Sequence, residues 1–150
     1  MNMPDPVEPL LALLAKQKAS YRQCPAPNLD ERKHHLETLK SALLDHQQAI
    51  ITALSLDYGH RSEDDSRISD IMPCINNINY TLKHLKSWMK PSRRHAGMLL
   101  APAKIMVQYQ PLGVIGIIVP WNFPVMLSMG PLITALAAGN RAMLKLSEFT

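Results

Sequence analysis

Cysteine is scarce in this chain, and Cys24 and Cys74 are its only two. So few thiols cannot build the dense disulfide framework of a small secreted domain, and the pair favours reduced cysteines in a cytoplasmic setting. The opening "MNMPDPVEPLLALLAK" places acids before a short apolar run. A signal peptide starts basic and ends in small residues, so none is expected here. No internal repeat or low-complexity tract appears. Charge is missing altogether between Lys104 and Arg141. That void surrounds "VPWNFPVMLSMG", where two prolines bracket a tryptophan, an asparagine and a phenylalanine, and it raises the question of why one amide sits amid so much apolar chain.

What is present fits one globular domain. The 150 residues are 47% hydrophobic and 19% charged, enough to build a core and too apolar for disorder. The formal charge of +4 is mild. Lys83, Lys86, Lys90, Arg93 and Arg94 cluster near the end of one helical pattern, where the helix dipole favours cations. No aromatic or polar base readers are interleaved with them, so a solvated face is expected and nucleic-acid binding is not. No metal site is expected either.

Residues 9–16 read as a short leucine-rich helix, followed by the polar connection "RQCPAPN". Asn28 and Glu31 have the spacing of a capping box. Leu36, Leu39, Leu43, Ile50 and Leu54 recur at helical spacing, and the helix is expected to stop at Tyr58-Gly59. Ser62 and Asp65 open the next helix in the same manner. Its stripe runs Ile68, Ile71, Ile75, Ile78, Leu82, Leu85 and Met89, with Pro73 predicting a kink or break. Such a stripe suits a coiled coil or a core face, and among other apolar faces the core reading is preferred. Residues 91–102 read as a linker. In "KIMVQYQ", Ile105, Val107 and Tyr109 alternate with polar neighbours, which predicts a half-buried strand. "VIGIIV" is apolar on both faces and β-branched, as in a central parallel strand. An apolar helix over 125–138 and a second buried strand, "AMLKL", come next.

The uncharged run exceeds the roughly 20 residues that cross a bilayer. Pro120, Asn122, Pro124 and Pro131 interrupt it, its first half is β-branched, and its helical piece is too short, so a membrane hairpin is rejected. The remaining reading is strand, loop, helix, strand, a right-handed crossover joining two parallel strands. Ligands bind beyond the carboxyl ends of such strands. Trp121 and Asn122 lie at the end of the first strand, and Lys145, Ser147 and Glu148 at the end of the second, so both groups share one rim. The glycine fingerprint G-x-G-x-x-G is absent, and "GVIG" opens a strand, where it cannot cradle phosphate.

"QYQPLGVIGIIVPWNFP" and "PLITALAAGNRAMLKLSEFT" resemble the NAD(P)-dependent aldehyde dehydrogenases, with Gln108 where that pattern has Glu. "LDYGHRSEDDS" and "LKSWMKPSRRHAG" resemble the shorter class of that family, and its coniferyl aldehyde dehydrogenase subgroup in particular. The resemblance runs from about Leu29 to Thr150 and is most specific from Pro111 onward. It implies an α/β fold: N-terminal helices over 1–103, a strand over 104–112 directed to an oligomerisation sheet, and over 113–150 the first strand-helix-strand unit of an incomplete, Rossmann-like NAD-binding domain. Family members are roughly three times as long, so an N-terminal fragment is expected, without the catalytic domain and its nucleophilic cysteine and general base. Neither Cys24 nor Cys74 is in a setting that activates a thiol.

The family reaction oxidises an aldehyde, here an aromatic, coniferyl-type one, through a thiohemiacetal whose negative oxygen needs fixed donors. By spacing alone Asn122 reads as a cap for the following helix, with Pro124 near its first turn. By resemblance Asn122 is the oxyanion donor, the single catalytic residue expected in this chain. Val119, Pro120, Trp121 and Asn122 are then expected to line the nicotinamide side of the cofactor, and Lys145 and Glu148 to hold the adenosine ribose. A carboxylate there repels a 2′-phosphate, which favours NAD over NADP. The implied partners are the aldehyde and further copies of the same chain. A non-catalytic helical adaptor, binding a partner through the stripe from Ile68 to Met89, is the alternative.

Overall fold

The computed structural model describes residues 7–149. The "MNMPDP" start and Thr150 lie outside them. The elements run α1 (Val7–Gln23), α2 (Leu29–Asp45), α3 (Gln47–Asp57), α4 (Glu63–Ser66), a π-helical turn (Arg67–Ile71), α5 (Met72–Trp88), β1 (Ser92–Arg94), a 3-10 turn (Met98–Leu100), β2 (Ile105–Val107), β3 (Val114–Ile118), α6 (Pro124–Ala137) and β4 (Arg141–Lys145). The α/β reading holds: helices precede a small parallel sheet in which β3 pairs with β4, Val114 opposite Arg141 and Ile118 opposite Lys145.

Local signals placed several boundaries. Asn28 caps α2 through a reciprocal box: its Oδ1 accepts from the Glu31 amide at 3.0 Å, and its own amide donates to Glu31 Oε2 at 2.7 Å. Gly59 comes just after α3 at φ 84°, the left-handed conformation that ends helices. Ser62 caps α4 by accepting from the Asp65 amide. Other expectations need correction. α1 extends to Gln23 rather than ending near Lys16. The helix read as continuous to Tyr58 breaks at His46, with neither glycine nor proline to mark it. Part of the expected linker forms β1, which pairs antiparallel with β2, Ser92 opposite Val107. β2 is exposed along its whole length rather than half-buried, because its partner β1 contributes only an edge and, among the described residues, no layer covers either face. β3, expected to be buried on both faces, buries Ile117 but leaves Ile118 85% exposed.

The stripe of α5 forms the core, but its phase changes upstream of Pro73. Ile71, Cys74, Ile78, Thr81 and Leu85 are buried, whereas Ile68 is 63% exposed. The cause is the π turn, in which the Met72 amide reaches back to the Arg67 carbonyl. A π turn inserts one residue and rotates the helix before it relative to the helix after it. Ser66 and Asp70, not Ile68, therefore face inward.

The core joins α2, α5 and α6 through Leu36, Leu43, Cys74, Ile78, Leu85, Ile133 and Ala137. Because α5 spends its stripe on this core, the stripe is not a free docking surface. α6 is fixed at its C-terminus by buried Arg32, whose Nη1 donates to the Ala137 carbonyl at 3.0 Å and whose Nε donates to the Pro27 carbonyl at 2.8 Å. Burial lowers the pKa of this guanidinium. Gly139 then turns the chain at φ 84°, and a Cβ there would meet the Arg32 guanidinium at 2.8 Å and Pro111 Cγ at 2.9 Å. Asn140 Oδ1 accepts from the amides of Leu112 and Gly113, at 2.6 and 3.0 Å, locking the entry to β4 beside the entry to β3.

These contacts predict unequal sensitivity to truncation. Ile78→Ala, at a fully buried position, is expected to lower stability by about 2–5 kcal/mol in denaturant unfolding. Leu56→Ala, on an exposed face, should change it by no more than about 0.5 kcal/mol.

Candidate functional site

The carboxyl ends of β3 and β4 open on one rim. The ladder continues one step past β3, with the Val119 amide donating to the Lys145 carbonyl at 3.0 Å. Val119 is buried, while Pro120, Trp121 and Asn122 emerge into solvent. At the end of β4, Lys145 donates to the Glu148 carboxylate, and both side chains are largely exposed. That hydrogen bond, with the Lys145 charge, holds the Glu148 carboxyl below its ordinary pKa. The structure thus brings the two groups of sequence-selected residues to the same edge of the sheet.

Asn122 does not cap α6. The N-cap position is Phe123, and its side chain makes no capping bond. The amide of Met126, in the first turn, instead donates at 2.9 Å to Oδ1 of Asp70, a side chain with no exposed surface. The capping duty is met by an acid from the π turn, and the Asn122 side chain is left without a hydrogen-bond partner among the described residues. It lines an open recess of about 330 Å³ with Tyr58, His60, Arg61, Asp65 and Phe123.

Arg61 organises that recess. Its side chain is 9% exposed; Nε donates to Asp65 Oδ2 at 2.7 Å, and Nη1 lies 2.8 Å from Asp70 Oδ2. The second contact is an ion pair whose angles fall short of a directed hydrogen bond, so Coulomb attraction carries it. The guanidinium also lies over the rings of Tyr58 and Phe123, its central carbon 5.4 and 5.2 Å from their centroids, within cation–π range. Burial works to lower the Arg61 pKa, but the hydrogen bond to Asp65 and the charges of Asp70 and Asp65 outweigh it and raise it. Asp65 is lowered in turn by its hydrogen bonds from Arg61 and Ser69. The Tyr58 hydroxyl donates to the Trp121 carbonyl. Burial, aided by the negative charges of Asp70 and Asp57 and opposed by Arg61, raises the phenol pKa, so Tyr58 stays a neutral donor.

Tyr58, Arg61 and Asp70 were not selected from the sequence. Tyr58 read only as a helix stop. Asp70 carried the one usable signal: an acid inside an apolar stripe is buried only when paired, and the nearest cation in "YGHRSEDDSRISD" with room to reach it is Arg61 or Arg67. Choosing between them needs the π turn.

Both cysteines are free thiols, Cys24 exposed and Cys74 buried. The Cys74 thiol donates to the Asp70 carbonyl at 3.0 Å. Among the described residues, no group of three or more His, Cys, Asp or Glu side chains is placed to hold a metal, and no helix is long and apolar enough to cross a membrane.

A sequence model of the aldehyde dehydrogenase family matches residues 10–150. A probable coniferyl aldehyde dehydrogenase of Pseudomonas aeruginosa is 48% identical over 144 residues, which is 96% of this chain and 30% of that protein. A coniferyl aldehyde dehydrogenase of Pseudomonas sp. is 42% identical over 93% of this chain and 28% of its own length. Among solved structures, substrate-bound AldH of Staphylococcus aureus superposes with a TM-score of 0.88 at 29% identity, over 99% of this chain and 31% of that one. PnpE in complex with nicotinamide adenine dinucleotide superposes at 0.74 with 28% identity, over 87% of this chain and 26% of that one. The chain belongs to the aldehyde dehydrogenase family, and it spans about 30% of the length of the curated relatives it matches.

Burial, reinforced by the charge of Asp70, pushes the Cys74 thiol up to about 11. At pH 8 a disulfide reagent is therefore expected to modify Cys24 rapidly and Cys74 only after unfolding. Because the folded pKa lies above the ordinary 9.0, the stabilising contribution of this thiol is complete below pH 9 and is lost as pH rises through about 11. Unfolding measured against pH should show that loss, and Cys74→Ala should abolish this part of it.

Proposed function

We propose that this chain is the N-terminal part of an NAD(P)-dependent aldehyde dehydrogenase that oxidises an aromatic, coniferyl-type aldehyde to its acid, with Asn122 as the oxyanion donor. The observation that carries the role of Asn122 is the freedom of its amide. The α6 cap is supplied by Asp70, so the Asn122 NH₂ is available at the rim, between two prolines that limit the loop. A neutral amide stabilises a developing oxyanion without bringing a counter-charge that would neutralise it elsewhere.

The rim fits a dinucleotide. β3 and β4 are parallel, with their carboxyl ends side by side, the place where such sheets bind nucleotides. Trp121 offers an exposed ring beside the Val119 and Pro120 backbone for the nicotinamide end. Lys145 and Glu148, already in contact, offer a donor and an acceptor for ribose hydroxyls. A bound NAD(P) supplies the hydride acceptor. The Glu148 carboxylate, ionised well into the acid range, favours NAD over a cofactor bearing a 2′-phosphate. The names of the relatives support the substrate class, and their family supports further copies of this chain as partners, with β2 and the exposed Tyr109 just after it directed to the shared sheet. Free thiols at Cys24 and Cys74 support a reducing, cytoplasmic compartment.

In the full-length enzyme, Asn122→Ala is expected to cut turnover of coniferyl aldehyde by roughly a hundred-fold while leaving NAD affinity nearly unchanged. Unaltered turnover would remove the oxyanion assignment. Glu148→Gln is expected to weaken NAD binding and to narrow the preference for NAD over NADP, read from fluorescence titrations with each dinucleotide. A preference that survives the substitution unchanged would place the selectivity elsewhere.

A further inference from the structure

The residues that grip the Asn122 loop come from outside it, and they hold both of its neighbours. On one side, the Trp121 carbonyl accepts from the Tyr58 hydroxyl. On the other, the Phe123 ring packs on the Arg61 guanidinium, and the tyrosine that holds Trp121 packs on the same cation. Arg61 is tied by Nε to Asp65 and by Nη1 to Asp70. Asp70 closes the circuit by accepting from the Met126 amide in the first turn of α6. The backbone on both sides of Asn122 is thus fixed to the α3–α5 region, while the Asn122 side chain itself is bound to nothing among the described residues.

We propose that Arg61 and Asp70, together with Tyr58, form a positioning device that sets the direction of the Asn122 amide at the rim of the sheet. The inference rests on the reading of Asn122 as oxyanion donor and deepens it: the donor is aimed from outside its own loop. The physical need is clear. A donor misplaced by about 1 Å loses on the order of a hundred-fold in rate, and in a loop restricted by two prolines the Asn122 side chain has no hydrogen-bond anchor of its own. Arg61 suits the task because its fork reaches two carboxylates while its charge lies over two aromatic rings. A lysine there keeps the charge that Asp70 needs but cannot bridge both acids. Asp70 is buried, and Tyr58 and Arg61 share the recess with Asn122, so action through Asn122 is separated from direct contact with substrate by double variants.

The test is a set of variants in the full-length enzyme: Arg61→Lys, Tyr58→Phe and Asn122→Ala, each alone, and the first two again in the Asn122→Ala background. Arg61→Lys is expected to lower kcat about ten-fold and Tyr58→Phe about five-fold, with KM for NAD changed by no more than about two-fold. In the Asn122→Ala background each should cost no more than about two-fold, because a device that aims the amide has nothing left to aim. Tyr58→Phe removes one hydroxyl from the molecular edge, so it decides the matter if Arg61→Lys fails to fold. Costs that multiply with that of Asn122→Ala would overturn the positioning role and leave the donor role intact. So would full turnover in Arg61→Lys and Tyr58→Phe beside a crippled Asn122→Ala. Full turnover in Asn122→Ala would overturn the donor role and the positioning role with it.

Discussion

Asp70 has no exposed surface, and its two carboxylate oxygens serve different elements. Oδ1 accepts from the first turn of α6, and Oδ2 faces the Arg61 guanidinium. A buried carboxylate is tolerable only while both are in place, since leaving one partner of a buried ion pair alone costs about 3–5 kcal/mol. The carboxylate also sits where the positive end of the helix dipole favours it. The surrounding structure answers to that requirement. The π turn rotates Asp70 inward at the expense of Ile68, and Pro73, which cannot donate a backbone hydrogen bond, comes directly after the turn where a regular helix would have needed one.

The opposite end of α6 is held with equal care by different chemistry. Arg32 reaches out of α2 to satisfy the carbonyl end, Asn140 bridges the entries to both strands, and the Tyr21 hydroxyl of α1 donates to the Pro111 carbonyl at 3.0 Å. A cation closes the negative end of the helix and an anion closes the positive end. With both ends anchored, α6 is held in place along β3 and β4. Exposed apolar surface includes β2, the 3-10 turn at Met98–Leu100, and, at the carboxyl ends of the sheet, Ile118 and Trp121. These faces are open in a chain that spans about 30% of the length of its relatives.

The parts legible in the sequence were those set by local rules. The Asn28–Glu31 box, the left-handed Gly59 and the Ser62 cap each depend on residues within a turn of one another, and the β-branched run of β3 needs no partner to announce itself. The break at His46 carries no local mark. β1 hid in a basic, proline-flanked segment because its identity comes from pairing with β2, on the far side of the 3-10 turn, and strand propensity depends on such neighbours. Alternation in β2 reported the period of a strand correctly but not whether anything covers it. The π turn defeated the stripe most instructively. Counting in threes and fours assumes one helical phase, and a single inserted residue exchanges a buried isoleucine for a buried acid.

That exchange also decides what Asn122 is free to do. From spacing alone, an asparagine two residues before Pro124 is a cap, because the first amides of α6 need an acceptor and short polar side chains supply one. The need is real and is met, but by Asp70, from a turn far back in the chain. The acceptor that best suits the helix N-terminus is charged; the donor that best suits an oxyanion is neutral. Under the proposed role of Asn122, placing the charge inside the fold and the neutral amide at the rim lets each group serve the electrostatics it fits. Had Asn122 been spent on the cap, its oxygen would be engaged and its NH₂ turned toward the helix it closes. A rim that offers an unengaged amide therefore requires a capping group from elsewhere, and the buried acid, its arginine and the π turn that aims it form one connected answer to that requirement.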